Sequence, residues 1–282
     1  MGDLKLTQLT DALALTKRLY IRRVDKHGLS DESAYSWIQG KLLGVGAFGK
    51  VYKCYPKQHD KGTVWAVKIV KIEPHYAEHQ KEVKAIKNEI DILRNLKHKR
   101  IVSYYGSEHK DGHLHLFMAF MTGGSLSDHI KRNKTLSESK SRKYTLQILE
   151  GVSFLHSKNI IHRDIKGSNV LLDGHGNVKL ADFGLSKIIQ KIGSKTNLMS
   201  YCGTPYWMAP EIFRGEGYGR KADIWSVGCT VVEMLTGRPP MGHLEPAAAI
   251  YKIGSEPTEP ALPESVSQDA KDFIQAALAW LV

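Results

Sequence analysis

Cysteine is scarce: the 282 residues include three, Cys54, Cys202 and Cys229. They lie far apart and show no C-x-x-C spacing, which excludes a disulfide-stapled small scaffold and makes a reducing compartment the simplest inference. Long apolar runs are missing too; the stretch from Phe273 to Val282 is too short to span a bilayer. The opening Met1-Gly2-Asp3-Leu4-Lys5-Leu6 places Leu6 where an acylation signal needs Ser or Thr. No secretory signal, internal repeat or low-complexity tract is recognisable. These absences lead to the expectation of a soluble cytoplasmic protein with no membrane segment.

What is present suits a globular domain. Hydrophobic residues make up 42% and charged residues 24%, enough to bury a substantial core. The formal charge of +11 and a pI near 9.4 would suit a polyanion, but ATP and acidic docking segments are anionic as well as nucleic acid. The expectation is no nucleic-acid partner. Thirteen histidines occur; His113 and His115 alternate as on a strand, and none sits in a metal-ligand pattern with a cysteine cluster.

Hydrophobic periodicity divides the chain. Leu6, Leu9 and Leu13 recur at helical spacing before the basic Arg22-Arg23 and a Gly28-Leu29-Ser30 break, so residues 1–36 read as an extension with an accessory helix. Residues 37–120 read mainly as strands, with Val64, Ala66, Lys68 and Val70 alternating against Trp65, Val67, Ile69 and Lys71. The exception runs from Glu82 to Leu96, where Ile86, Ile90 and Leu93 share one helix face and Glu89 lies at its margin, in need of a cationic partner. Residues 121–282 turn helical: Tyr144, Ile148, Val152 and Leu155 form a stripe on a helix expected to begin at Ser137.

Phosphate chemistry is written in five ordered motifs. Leu43-Gly44-Val45-Gly46-Ala47-Phe48-Gly49-Lys50-Val51 contains G-x-G-x-x-G-x-V, whose missing side chains let backbone N–H groups approach phosphate oxygens. A dinucleotide-binding turn should open a helix, whereas these glycines lead into the strand-like Val51-Tyr52-Lys53-Cys54-Tyr55. Ala66-Val67-Lys68 supplies a lysine for the α- and β-phosphates, and Glu89 is its natural partner. In Ile161-His162-Arg163-Asp164-Ile165-Lys166-Gly167-Ser168-Asn169, Asp164 can accept a hydroxyl proton and Lys166 can stabilise the γ-phosphate. Asn169 and, thirteen residues later, Asp182 of Asp182-Phe183-Gly184 are the two expected magnesium ligands. Ala209-Pro210-Glu211 closes a segment that carries Ser194, Thr196, Ser200, Tyr201 and Thr204, any of which could take phosphate and pair with Arg163.

These residues together resemble eukaryotic protein kinases from about Trp37 to Phe273. His162-Arg163-Asp164-Ile165-Lys166 resembles the serine/threonine form, and Gly203-Thr204-Pro205-Tyr206-Trp207-Met208-Ala209-Pro210-Glu211 resembles the STE group. Met121-Thr122-Gly123-Gly124-Ser125, Gln147 to Val152 and Gly217 to Thr236 are similar to MEKK-type MAP kinase kinase kinases. The resemblance implies an α+β, bilobal protein-kinase fold with a β-rich N-lobe and a mainly helical C-lobe. It implies ATP and Mg2+ as cofactors and a MAP kinase kinase as protein substrate. It also implies that Leu43, Val51, Ala66 and Leu171 help to bind the nucleotide, that Met118 lines the back of the adenine pocket, and that Ala119 and Met121 offer backbone hydrogen bonds to the base. Ser200 matches an activating phosphosite, with Thr196 and Thr204 as further candidates, and Thr204 would contact Asp164 and Lys166. By the same likeness Asp223 would brace the catalytic loop, and Leu93, His162 and Phe183 would stack in the active state.

Two departures stand out. Ala119 replaces the usual acidic residue at the start of the hinge, where the contact is made by backbone. No arginine follows Arg238, so the arginine that pairs with the A-P-E glutamate in the family, and the last C-lobe helices that carry it, are expected to be missing. A buried Glu211 without that partner would cost about 3–5 kcal/mol. A truncated, catalytically weak interaction protein is therefore the alternative reading.

Overall fold

The computed structural model describes residues 36–46, 49–57, 62–71, 90, 93–183 and 205–279. They fall into two compact units: one takes the described residues up to Asn95 with Tyr104–Phe120, the other Leu96–Ser103 and the described residues from Met121 onward. The architecture is α+β, with a sheet in the first unit and mostly helices in the second. Among the described residues no helix is long and apolar enough to cross a membrane. The expected accessory helix within residues 1–36 lies outside the described residues, as does most of the helix expected from Glu82 to Leu96. Of that helix's apolar stripe, Ile90 and Leu93 are described and both are buried.

In the first unit, strands β1 (Trp37–Gly46), β2 (Gly49–Pro56), β3 (Trp65–Lys71), β4 (Tyr104–Lys110) and β5 (His113–Ala119) form an antiparallel sheet in the order β1-β2-β3-β5-β4. Aromatic and β-branched residues dominate its centre, as a pleated surface favours. One face gathers Cys54, Trp65, Val67 and Phe117, with Trp37, Tyr52, Ile69 and Tyr105 packed around them. The Trp37 and Phe117 rings meet edge-on at 5.7 Å, and Trp65 and Tyr105 lie 4.8 Å apart. Strand β3 is buried on both sides, so its burial is nearly continuous where a half-exposed strand would alternate.

Asp111 and Gly112 join β4 to β5, both in the left-handed region (φ 51° and 69°). This two-residue Asp-Gly turn matches the twist of the strands it links and fixes Lys110 opposite His113. Burial raises the thiol of Cys54 to about 12 and that of Cys229 as well, so both are packing residues rather than nucleophiles.

In the second unit, β6 (Gly124–Ser125) leads into α1 (Leu126–Asn133). Ser125 caps this helix by accepting from the Asp128 backbone N–H at 3.1 Å, while Asp128 accepts from the Ser125 N–H at 3.2 Å. This reciprocal pair satisfies two otherwise orphaned donors. Helix α2 (Glu138–Ser157) starts after Ser137, whose hydroxyl accepts from the Lys140 N–H. It buries Tyr144, Ile148, Val152 and Leu155, the stripe seen in the sequence.

A small sheet, β6-β7-β8, includes β7 (Val170–Leu172) and β8 (Val178–Leu180). Segment Leu96–Ser103 joins this unit through bonds from the Val102 N–H to the Leu180 carbonyl (2.9 Å) and from the Leu180 N–H to the Arg100 carbonyl (2.8 Å). After the short α3 (Pro210–Phe213), α4 (Arg220–Thr236) forms the buried centre of the unit. It is covered by α2 and α6 (Gln268–Ala277), and α5 (Pro246–Ser255) packs near α3. At Gly228 a Cβ would come within 2.8 Å of Ala277 Cβ, so α4 and α6 approach too closely for any larger residue there.

Phe117 is fully buried at the heart of the sheet cluster. Phe117→Ala is expected to lower unfolding free energy by about 3–5 kcal/mol, read from the urea midpoint and slope.

Candidate active site

Helix α4 carries a carboxylate, Asp223, with no solvent exposure. Its Oδ2 accepts from the His162 backbone N–H at 2.9 Å and lies 2.7 Å from His156 Nε2; its Oδ1 accepts from the Arg163 N–H at 2.9 Å. A buried carboxylate is tolerable only when so surrounded by donors. These bonds hold the loop that follows α2 in an unusual course, with Arg163 in the left-handed region at φ 70°. The Tyr218 hydroxyl donates to the Arg163 carbonyl at 2.9 Å, and the Arg163 guanidinium lies 5.6 Å from the centre of the Tyr218 ring.

The loop then delivers the expected group of side chains. Lys166 Nζ sits 2.8 Å from Asp164 Oδ1. Asn169 Nδ2 donates to both the Asp164 carbonyl and Asp164 Oδ2, each at 2.7 Å. Because the amide nitrogen is committed, the orientation of Asn169 is set and its Oδ1 becomes the free end of the amide group. The Asn169 carbonyl in turn accepts from the Ala181 N–H at 2.9 Å, tying this loop to the residue before Asp182. Asp182 is itself in the left-handed region, at φ 59°.

His162 lies beneath this group, fully buried, its ring 6.2 Å from that of Phe183 in a T-shaped contact. Its Nδ1 accepts from the Asp164 N–H at 3.3 Å. Burial holds its pKa below the usual imidazole range, although Asp223, Asp164 and Asp182 pull it upward. A neutral ring is what the accepting Nδ1 requires.

A second buried carboxylate, Glu233 of α4, fixes the other end of the loop. It accepts from the Gly167 N–H (3.1 Å), the Ser127 hydroxyl (3.0 Å) and Trp207 Nε1 (3.1 Å). Burial pushes its pKa up while these donors draw it down. A Cβ on Gly167 would lie 2.7 Å from Glu233 Oε1, so glycine is the residue that permits this approach. Sequence reasoning gave no role to Glu233, Tyr218 or His156. The signal for Glu233 was legible, an acid inside the apolar run Val231-Val232-Glu233-Met234-Leu235; for the other two there was none.

The first unit, taken by itself, carries the remaining candidate residues. Strand register pairs Val51 with Lys68 and Lys68 with Leu116, and pairs Ala66 with Met118. Directly opposed residues share a face, so Val51, Ala66, Lys68 and Met118 all project from the side opposite the aromatic cluster. Lys68 is buried. Gly46 pairs with Gly49 where β1 turns into β2, and Gly49 (φ 139°) lies so close to Ile69 that no side chain fits. Leu43 and Val45 are exposed on β1, while Ala119, Met121 and Leu171 are partly buried. Ala47, Phe48, Glu89, Thr196, Ser200 and Thr204 lie outside the described residues. Glu211 is partly exposed, so the cost expected for a fully buried, unpartnered carboxylate does not arise.

A family model described as the protein kinase domain matches residues 37–281. The chain belongs to the protein kinase family. Among its relatives, human mitogen-activated protein kinase kinase kinase 3 is 53% identical over 249 residues, which cover 87% of this chain and 40% of that protein. The Arabidopsis thaliana mitogen-activated protein kinase kinase kinase ANP1 is 43% identical, over 86% of this chain and 37% of that protein. Human mitogen-activated protein kinase kinase kinase 19 is 42% identical over 90% of this kinase chain, but only 19% of its own length is covered. The chain thus spans well under half of each of these relatives. The likeness to MEKK-type kinases of the STE group is what these relatives show.

Asp223→Asn keeps the volume but turns a donor toward a backbone N–H. It is expected to cost about 1–3 kcal/mol of stability in urea unfolding, with transfer activity falling through kcat more than through KM for ATP. Acid titration gives a separate test. A histidine whose folded pKa is lowered contributes stability that is fully present above its unfolded value, near 6.5, and is lost progressively as pH falls from there through the lowered folded value. Unfolding free energy should therefore fall as pH drops below about 6.5, and His162→Gln should show a shallower fall over the same interval.

Proposed function

We propose that this chain is an ATP-dependent serine/threonine protein kinase acting on a MAP kinase kinase within a MAP kinase cascade. The observation that carries the chemistry is the Asp164, Lys166 and Asn169 group, drawn together at 2.7–2.8 Å and braced from below by Asp223. The substrate class rests on the relatives named mitogen-activated protein kinase kinase kinases.

Protein kinases as a family use ATP and Mg2+, and the residues here fit both. Asn169 offers an amide oxygen and Asp182 a carboxylate, the hard oxygen donors that Mg2+ prefers. When bound, the metal supplies neutralisation of the phosphate charge. Lys68 and the glycine-rich turn are assigned to the ATP phosphates. Asp164 orients the attacking hydroxyl and accepts its proton, while Lys166, already held beside Asp164, offers positive charge to the transferring phosphoryl group. Asn169 keeps the Asp164 carboxylate in place through Nδ2. Phosphate on Ser200, or on Thr196 or Thr204, is the proposed activating mark, with Arg163 as a basic partner.

The purified chain, incubated with labelled ATP, Mg2+ and an inactive MAP kinase kinase, should label Ser or Thr of that protein. Lys68→Met should remove the signal, and Asp164→Asn should lower kcat by about 10²–10⁴-fold. Asp182→Asn should abolish turnover while retaining more of the nucleotide binding. Equal background from wild type and Lys68→Met would reject the reading.

A further inference from the structure

Tyr218 stands just before α4, between Gly217 (φ 96°) and Gly219, the residue that opens the helix. Asp223 follows in the first turn of that helix. The two side chains address different parts of the turn at Arg163. Asp223 accepts from the N–H groups of His162 and Arg163 and so fixes the chain on its way into the turn. The next peptide group, made of the Arg163 carbonyl and the Asp164 N–H, has other partners. Its carbonyl accepts from the Tyr218 hydroxyl at 2.9 Å, and its N–H donates to His162 Nδ1 at 3.3 Å. The first bond lies inside the usual range for a hydroxyl donor, about 2.5–3.0 Å, and the second is long.

A peptide plane is rigid, so a hydrogen bond to its carbonyl also fixes the orientation of its far end. Here that end is the Cα of Asp164, the residue assigned as proton acceptor. The turn needs such support, because the left-handed conformation of Arg163 (φ 70°) is disfavoured for a residue with a Cβ. The Tyr218 ring adds a second contact to the same residue, with the Arg163 guanidinium 5.6 Å from its centre. Burial, with Asp223 and Asp164 nearby, pushes the pKa of the phenol above its usual range, so the hydroxyl stays a donor.

We propose that Tyr218 is a positioning residue for phosphoryl transfer, holding the peptide between Arg163 and Asp164 so that the Asp164 carboxylate meets the attacking hydroxyl. This role rests on the kinase reading above. Tyr218 bonds to the loop that carries the base, whereas the ATP phosphates are assigned to Lys68 and the glycine-rich turn, so its loss should fall on kcat and spare KM for ATP.

Tyr218→Phe keeps the ring and removes only the hydroxyl. With labelled ATP, Mg2+ and an inactive MAP kinase kinase, the variant is expected to lose about ten-fold in kcat while KM for ATP changes by less than about two-fold. Because the bond is to the main chain, the same loss should recur when Tyr218→Phe is combined with Arg163→Leu. Hydrogen exchange read by mass spectrometry should be faster in the variant across the segment from His162 to Lys166. Urea unfolding of each protein supplies the folded fraction. An active wild type matched in kcat by Tyr218→Phe, or a kcat lowered only as far as the folded fraction falls, would overturn this role, as would unchanged exchange in that segment. A silent wild type would instead reject the kinase reading, and this role with it.

Discussion

A single carboxylate without solvent contact, Asp223, decides the course of the loop that carries Asp164. Helix α4 could bury this charge only by surrounding it with donors, and two of those donors are backbone N–H groups of the loop itself. The interaction therefore works in both directions: the loop satisfies the acid, and the acid forces the loop through the left-handed turn at Arg163. Everything downstream, from the Asp164–Lys166 pair to the Asn169 amide, takes its position from that turn. Glu233 repeats the device one helical stretch later, anchoring Gly167 to the same helix. Buried acids on a central helix are thus the means by which a loop becomes as well placed as an element of regular structure.

Much of this was legible in the sequence, and the limits follow from physics. Helix α2 announced itself because Tyr144, Ile148, Val152 and Leu155 repeat at helical spacing and Ser137 is a natural cap. The order of motifs pointed to phosphoryl transfer as the role proposed for Asp164, Asn169 and Asp182, because few other reactions need those groups in that sequence. Lys68 was legible as a lysine in a strand, but its sharing of a face with Val51, Ala66 and Met118 depends on register, which only long-range pairing sets. Tyr218 and His156 were silent for a similar reason. Each meets its partner across a wide gap in sequence, 55 residues for Tyr218 to Arg163 and 67 for His156 to Asp223, and neither residue type signals such a bond. Glu233 stood between these cases, visible as an acid in an apolar helix but with no visible list of donors.

The two faces of the first unit's sheet divide their work. One carries Lys68 and the residues assigned to the nucleotide. The other buries Trp65 and Phe117 and packs the partly buried Trp37 against them. Successive residues along each strand alternate between these faces, so a change on one side is transmitted to the other only through the backbone.

The two-residue turn at Asp111-Gly112 has a wider reach than its size suggests. It sets the phase of β5, and with it which of Leu114, Leu116 and Met118 accompany Lys68 and which of His115 and Phe117 meet Trp37. Adding or deleting one residue there would be no local loop variation: it would invert the strand, exposing its apolar members on the wrong side and exchanging the two surfaces in one step. Length at this hairpin is thus as strictly constrained as identity is at a catalytic position.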